Sequence, residues 1–200
     1  MLLSGGLDSA ATLYASPVGQ TSAMFIDYGQ VSSQAEERAA CALARARGIS
    51  LEVARVDDLS RLGAGSLARS EAAIDADGTS EEQRQEWFPA RNLMLCAIAA
   101  IPLARAGGGE LALGTLSDSY RDSRVEFFKS VEHAILDALP TQTMITLVVP
   151  SEDRLLALRA ACSAGLEPRL TFSCNQRSDR HCWRCASCRD RARLISELNA

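Results

Sequence analysis

Residues 4–9 read SGGLDS and follow directly on Leu2 and Leu3. Two apolar residues suit the end of a strand, and Ser9 to Ala15 suits the first turns of a helix. A glycine pair at such a junction has a physical use. Glycine allows positive φ, and without a side chain its neighbours' backbone N–H groups can close on an anion. The helix that follows adds partial positive charge at its N-terminus. The hydroxyls of Ser4 and Ser9 can donate to phosphate oxygens, and Asp8 can orient Mg²⁺ or hold the turn. The stretch lacks the lysine of a Walker A loop and is not GxGxxG. The bland alternative is a glycine-rich strand–helix turn with an incidental serine frame.

Working outward, residues 21–27 (TSAMFID) form an apolar run ending in Asp27, which reads as a buried strand. A helix follows, with Ser33 and Glu36 as a capping box and Gly48 as its stop. Residues 51–56 (LEVARV) read as the next strand. Strand, helix, strand, helix, strand argues for a parallel sheet wrapped by helices. Residues 57–88 are polar, with no strong period, and read as a long excursion or lid. An apolar helix after Arg91, kinked near Pro102, then ELALG (110–114), an amphipathic helix over 124–139 and MITLVV (144–149) add two helices and two strands. Phe127, Val131, Ile135 and Leu139 share a face of that amphipathic helix. Ser151 is expected to open a helix closed by Gly165, and a short helix over 190–198 ends the chain. The fold class expected is α/β: a parallel five-stranded sheet with helices on both faces.

The 200 residues suit one domain with a small appendage, and 47% apolar residues suffice for a core. The net charge of −4 gives no argument for a nucleic-acid footprint. No apolar run is long enough to span a bilayer and no signal peptide is evident, so the expected location is the cytoplasm. Cys41, Cys96 and Cys162 stand apart in helix-like stretches and read as small buried hydrophobes. Cys174, Cys182, Cys185 and Cys188 crowd one segment with spacing C-x7-C-x2-C-x2-C. In a reducing compartment such crowding indicates metal, not disulfide. Four thiolates satisfy tetrahedral Zn²⁺ with no open position, which is a structural site. His181 is a substitute ligand that the simpler four-cysteine reading does not need. Trp183 is expected to pack on the sheet or on a partner subunit, and His133 to have no chemical role. The expected division is 1–170 for the sheet domain and 171–200 for the cysteine segment.

SGGLDS resembles the pyrophosphate loop of the PP-loop ATPases, which cleave ATP between the α and β phosphates. Three further stretches narrow the resemblance: FIDYGQ (25–30), FPARN (88–92) and SCNQRSDRHCWRCASC (173–188), with YRDSRVEF (120–127) between the last two. In order and spacing these are similar to the 7-cyano-7-deazaguanine synthase family, over nearly the whole chain. The resemblance implies ATP with Mg²⁺, a small-molecule carboxylate and ammonia as reactants, and one structural Zn²⁺. It implies nucleotide contacts from Leu3, Ser4, Gly5, Gly6, Leu7, Asp8, Ser9, Asp27, Arg91 and Asn92. Arg91, Asp122 and Arg124 fall where the family's substrate and catalytic contacts lie, with Glu126 in the same frame. A homodimer is compatible with it; nucleic acid and membrane are not expected.

The chain departs from the family pattern in places. Val31 and Ser32 stand where a basic pair is usual, and Arg121 and Ser123 replace a proline and a cysteine. The loop from Gly114 to Tyr120 is short. Arg154 replaces a lysine, and Leu156 an acid. These departures fall at presumed substrate contacts. They motivate two other readings: a paralogue that makes an amide or conjugate, and a non-catalytic zinc-stabilised nucleotide-binding module. Only Leu2 and Leu3 occupy the place of the family's first, central strand. A shortened strand with weak stability is expected if Met1 is the start; a start assigned too late and a first strand supplied differently are the alternatives.

Overall fold

The computed structural model describes residues 1–56, 88, 90–115, 121–140, 143–148 and 153–198. The expected lid over 57–88 lies outside them except for Phe88, as does Ser151. In chain order come α1 (Leu7–Ala15), β1 (Ala23–Asp27), α2 (Ser33–Arg47), β2 (Leu51–Arg55), α3 (Arg91–Arg105), β3 (Gly108–Ala112), α4 (Val125–Asp137), β4 (Met144–Val148), α5 (Arg154–Ser163) and α6 (Ala186–Leu198). Short 3₁₀ turns occupy Arg121–Ser123 and Pro168–Leu170.

All strand pairs are parallel, but the five-stranded expectation needs correction. Among the described residues there are four regular strands in two pairs, β1–β2 and β3–β4. Residues 1–3 lie between the pairs and hydrogen-bond to both. Leu3 N–H donates to Met24 O, Met24 N–H to Met1 O, and Leu2 N–H to Ala112 O. Only Leu2 makes a strand bridge, to Met24, so the segment is too short to count as a strand although it occupies a strand's place.

Alternation along the centre of the sheet feeds two cores. Leu3, Ala23 and Phe25 pack on one face with Leu13 of α1, Leu43 of α2, Leu158 of α5 and Leu194 of α6. Leu2, Met24 and Ile26 point to the other face, with Cys96 and Ala99 of α3 and Phe128 and Val131 of α4. A strand that feeds helices on both faces reads as a continuous apolar run, which is why AMFID shows no polar alternation. β4 differs. Ile145 is buried towards α3 and α4, while Met144 and Val148 on the opposite face are exposed.

Several local expectations shift. The capping box does not form. Ser33 lies inside α2 and its hydroxyl donates to Asp27 Oδ2, while the Glu36 carboxylate turns to Ser32 and Gln30. Gly48 does end α2, at φ +66°. Asp153 caps α5, its carboxylate accepting from the N–H groups of Leu155 and Leu156. Pro102 sits in the last turn of α3, which runs on to Arg105. α6 begins at Ala186, inside the cysteine group, so Cys188 is a helical residue. Cys96 is buried, whereas Cys41 and Cys162 are half-buried.

Candidate functional site

The glycine loop sits where the strand order reverses. β1 and β2 lie to one side of residues 1–3, and β3 and β4 to the other. In open α/β sheets this crevice is the ligand site. Gly5 has φ +81°, and a Cβ there would meet Glu36 O at 2.6 Å and Ala39 Cβ at 2.9 Å. Both the backbone angle and the closeness of α2 therefore demand glycine. Gly6 has ordinary φ and precedes α1 with no side-chain cap. A Cβ there would lie 3.5 Å from Ser4 Oγ, so its glycine keeps the space beside the hydroxyls open. Ser4 Oγ and Ser9 Oγ are 3.0 Å apart. The first-turn N–H groups of α1 have no partner within the helix, as at any helix start.

A cavity of about 230 Å³ opens beside this loop. Ser4 and Ser9 line one side, Tyr28 and Glu36 a second, Arg91 and Asn92 a third. Asn92 is fixed by Asp122. Its Nδ2–H donates to Asp122 O at 2.7 Å, and its backbone N–H reaches Asp122 Oδ2 at 3.4 Å. Arg91, Asn92 and Asp122 are thus brought together. Arg124 is not among the cavity's lining residues; it stands exposed in the position before α4. Glu126 is exposed on the first turn of α4, and His133 is exposed farther along the same helix. Asp27 is held by its own turn, accepting from Gly29 N–H at 3.0 Å and Ser33 Oγ–H at 2.9 Å. Asp8 faces Arg154, whose Nε–H donates to Asp8 Oδ1 at 2.8 Å. Burial raises the pKa of Asp8 above the usual carboxylate value, and Arg154 works against that rise.

Sequence reasoning quoted DYGQ but singled out only Asp27. Buried Tyr28 and Gln30, with half-buried Glu36, form a polar wall. Gln30 accepts from Tyr28 N–H and donates to Glu36 Oε2 at 2.9 Å, and Ser32 donates to Glu36 Oε1 at 2.8 Å. Burial pushes the Tyr28 hydroxyl up to about 12, partly offset by the hydrogen-bonded Arg91 guanidinium. Burial also raises Glu36 above its ordinary value against the donors Gln30 and Ser32. Gly114 was missed as well. A Cβ there would fall 2.3 Å from Ser9 Cα, so β3 can run on beneath the loop only with glycine in that place. A glycine just after a strand was the available signal.

The four cysteines converge, with all sulfurs within 4.8 Å of one another and Cys182 Sγ 3.9 Å from Cys188 Sγ. Tetrahedral Zn²⁺ with bonds of about 2.3 Å sets sulfurs roughly 3.8 Å apart, so the donor set fits the ion. Backbone N–H groups already point at the sulfurs, those of Arg184 and Cys185 at Cys182 and that of Cys188 at Cys185. Burial opposes the charged form of Cys182, and these donors outweigh it, bringing the thiol to about 7. Burial raises Cys185 and Cys188. Such a cluster gains its charge cheaply only with a cation inside. His181 is not positioned as a ligand, since its Nε2 accepts Ser173 N–H at 3.2 Å. Trp183 does not pack on the sheet; it is 61% exposed, at φ +60°, against the His181 ring. Phe172, Cys174, Cys185 and Cys188 instead pack against Ala35 and Ala39 of α2.

Comparison with known proteins agrees with this arrangement. Residues 1–199 match the family model for the queuosine biosynthesis protein QueC. The chain belongs to the QueC family. It is 33% identical over 208 residues to the 7-cyano-7-deazaguanine synthase of Cupriavidus necator, covering 96% of this chain and 89% of that protein. It is 32% identical over 200 residues to the enzyme of the same name from Archaeoglobus fulgidus, covering 96% and 82%. To 7-cyano-7-deazaguanine synthase 1 of Desulfitobacterium hafniense it is 28% identical over 199 residues, covering 98% and 90%. In this QueC chain no helix among the described residues is long and apolar enough to cross a membrane.

Proposed function

We propose that this chain is an ATP-dependent synthase that turns 7-carboxy-7-deazaguanine and ammonia into the nitrile 7-cyano-7-deazaguanine, in queuosine or other deazapurine synthesis. The observation that carries the reading is the glycine loop opening at the sheet's switch point onto a cavity flanked by Arg91 and Asn92. The names of the family relatives supply the product, and the carboxylate substrate is what the family resemblance implies. The substrate carboxylate attacks the α-phosphorus of ATP, forming an acyl adenylate and releasing pyrophosphate. Ammonia adds to the acyl carbon and AMP leaves, giving the amide. The amide oxygen attacks a second ATP, again releasing pyrophosphate. Loss of both protons from the nitrogen and departure of AMP leave the nitrile.

No side-chain nucleophile is required. The chain's work is positioning and charge stabilisation. The N–H groups at the start of α1, with Ser4 and Ser9, take the pyrophosphate charge. Arg91 offers two parallel N–H bonds to a carboxylate or phosphate; Tyr28 hydrogen-bonds its guanidinium, and the Glu36 carboxylate attracts its charge. Asp122 positions Asn92. Cys174, Cys182, Cys185 and Cys188 would hold Zn²⁺ in a structural role, with no part in these steps.

Mass spectrometry of a reaction with zinc-loaded protein, ATP, Mg²⁺, ammonia and 7-carboxy-7-deazaguanine tests the reading. The nitrile with AMP and pyrophosphate is expected. AMP without nitrile would point to an amide-forming or conjugating paralogue, and no AMP would refute the synthase.

A further inference from the structure

The loop and the cysteine segment stand at opposite ends of the sequence yet are joined by two sets of contacts. The first is an ion-pair bridge. Arg154, the first residue of α5, donates from Nε to Asp8 Oδ1 at 2.8 Å and from Nη1 to Asp190 Oδ2 at 2.5 Å. Asp8 is in the first turn of α1. Asp190 is in α6, two residues beyond Cys188. The second runs through the backbone. Phe172 N–H donates to Gly5 O at 2.8 Å. The segment around Phe172 is in turn clamped by Arg191 of α6, which is buried and donates to Thr171 Oγ1 and Pro168 O.

Charge gives the bridge a purpose. A polyphosphate docking at the start of α1 meets the Asp8 carboxylate, and two anions at close range repel. Arg154 offsets that charge. It can do so in this geometry only while α6 holds Asp190 in place, and α6 is anchored by Cys188. All three side chains are between a fifth and a third exposed, partly shielded from solvent. Lysine in this place could not match the two carboxylates with two separate, fixed N–H directions.

We propose that Arg154 is a positioning residue that couples the cysteine segment to the glycine loop, so that Zn²⁺ in the first and nucleotide in the second strengthen each other's binding. The inference rests on the loop's being a nucleotide cradle. Linkage makes the effect reciprocal, so it can be read at the metal without any turnover.

The test follows transfer of Zn²⁺ from the full-length holoprotein to a chromophoric chelator, with and without saturating ATP and, separately, inorganic pyrophosphate. ATP is expected to lower the apparent zinc dissociation constant about tenfold in the wild type, a typical coupling. Arg154→Ala and Asp190→Asn are expected to abolish that difference, and Arg154→Lys to restore part of it. The thiolate charge-transfer band of the cobalt-substituted proteins reports that each variant still holds four sulfur ligands. Should Arg154→Ala fail to fold, Asp190→Asn and Arg154→Lys carry the comparison. Equal protection by ATP in wild type and Asp190→Asn would overturn the proposal. So would zinc affinity indifferent to ATP in a wild type that binds ATP by calorimetry. Absence of ATP binding by calorimetry would refute the cradle itself, and the coupling with it.

Discussion

The cysteine cluster and the cavity beside the glycine loop are built in opposite ways. All four sulfurs come from one short segment, and their spacing alone brings them together once α6 begins. The cavity draws Ser4 from the loop, Tyr28 from the end of β1, Glu36 from α2 and Arg91 from the start of α3. A site made by local spacing survives wherever its segment survives. A site assembled from distant elements exists only if the whole sheet is in register. Substitutions should therefore act on the two regions differently.

The largest effect is expected from Cys185→Ser, which leaves three thiolates around the ion. Loss of several kcal/mol should lower the melting temperature by about 10 °C or more, with zinc content falling below one per chain. An unchanged melt would mean that the metal is not structural. Next comes Gly5→Ala. Positive φ and the clash with the α2 backbone should together cost about 3 kcal/mol, read as a lower urea midpoint. Gly6→Ala sharpens the contrast, with a folding cost below about 0.5 kcal/mol and a clear loss of pyrophosphate affinity by calorimetry. If both alanines cost the same stability, the separation of a packing glycine from a binding glycine fails. Asn92→Ala removes one part-buried hydrogen bond to Asp122 and should cost about 1 kcal/mol.

The smallest effect is one of pH. Burial raises Glu36 above its ordinary 4.5 in the fold, so the folded state binds the proton more tightly than the unfolded chain. Wild type should then gain stability relative to Glu36→Gln as pH falls from neutral through the raised pKa, and the gain should level off below the unfolded value. Urea midpoints at several pH values check the sign. A wild type that weakens against Glu36→Gln on acidification would show that the carboxylate's donors outweigh its burial.

The same contrast explains what was legible in advance. SGGLDS and the four cysteines could be read directly, because backbone geometry and ligand spacing are local properties. The parallel strands were legible from AMFID and LEVAR. The sheet's continuity was harder, since residues 1–3 hold it by a few hydrogen bonds and not by a full strand. The polar wall escaped because Glu36 fits a capping box by spacing, and only the fold shows Ser32 and Gln30 claiming it instead. Gly114 needed the tertiary approach to Ser9 to acquire meaning. Arg124 shares the sequence frame of Asp122, and the fold leaves it exposed just before α4.

The bridge through Arg154 also bears on how the molecule is made. Asp8 and Arg154 are 146 positions apart, and Phe172 lies further on still. A ribosome delivers the loop long before either of its braces. The nascent chain can pair β1 with β2 early, but Gly5 O gains its Phe172 partner only once residue 172 has emerged. The glycine loop is thus braced only after Phe172 has been made, well after the β1–β2 pair beside it.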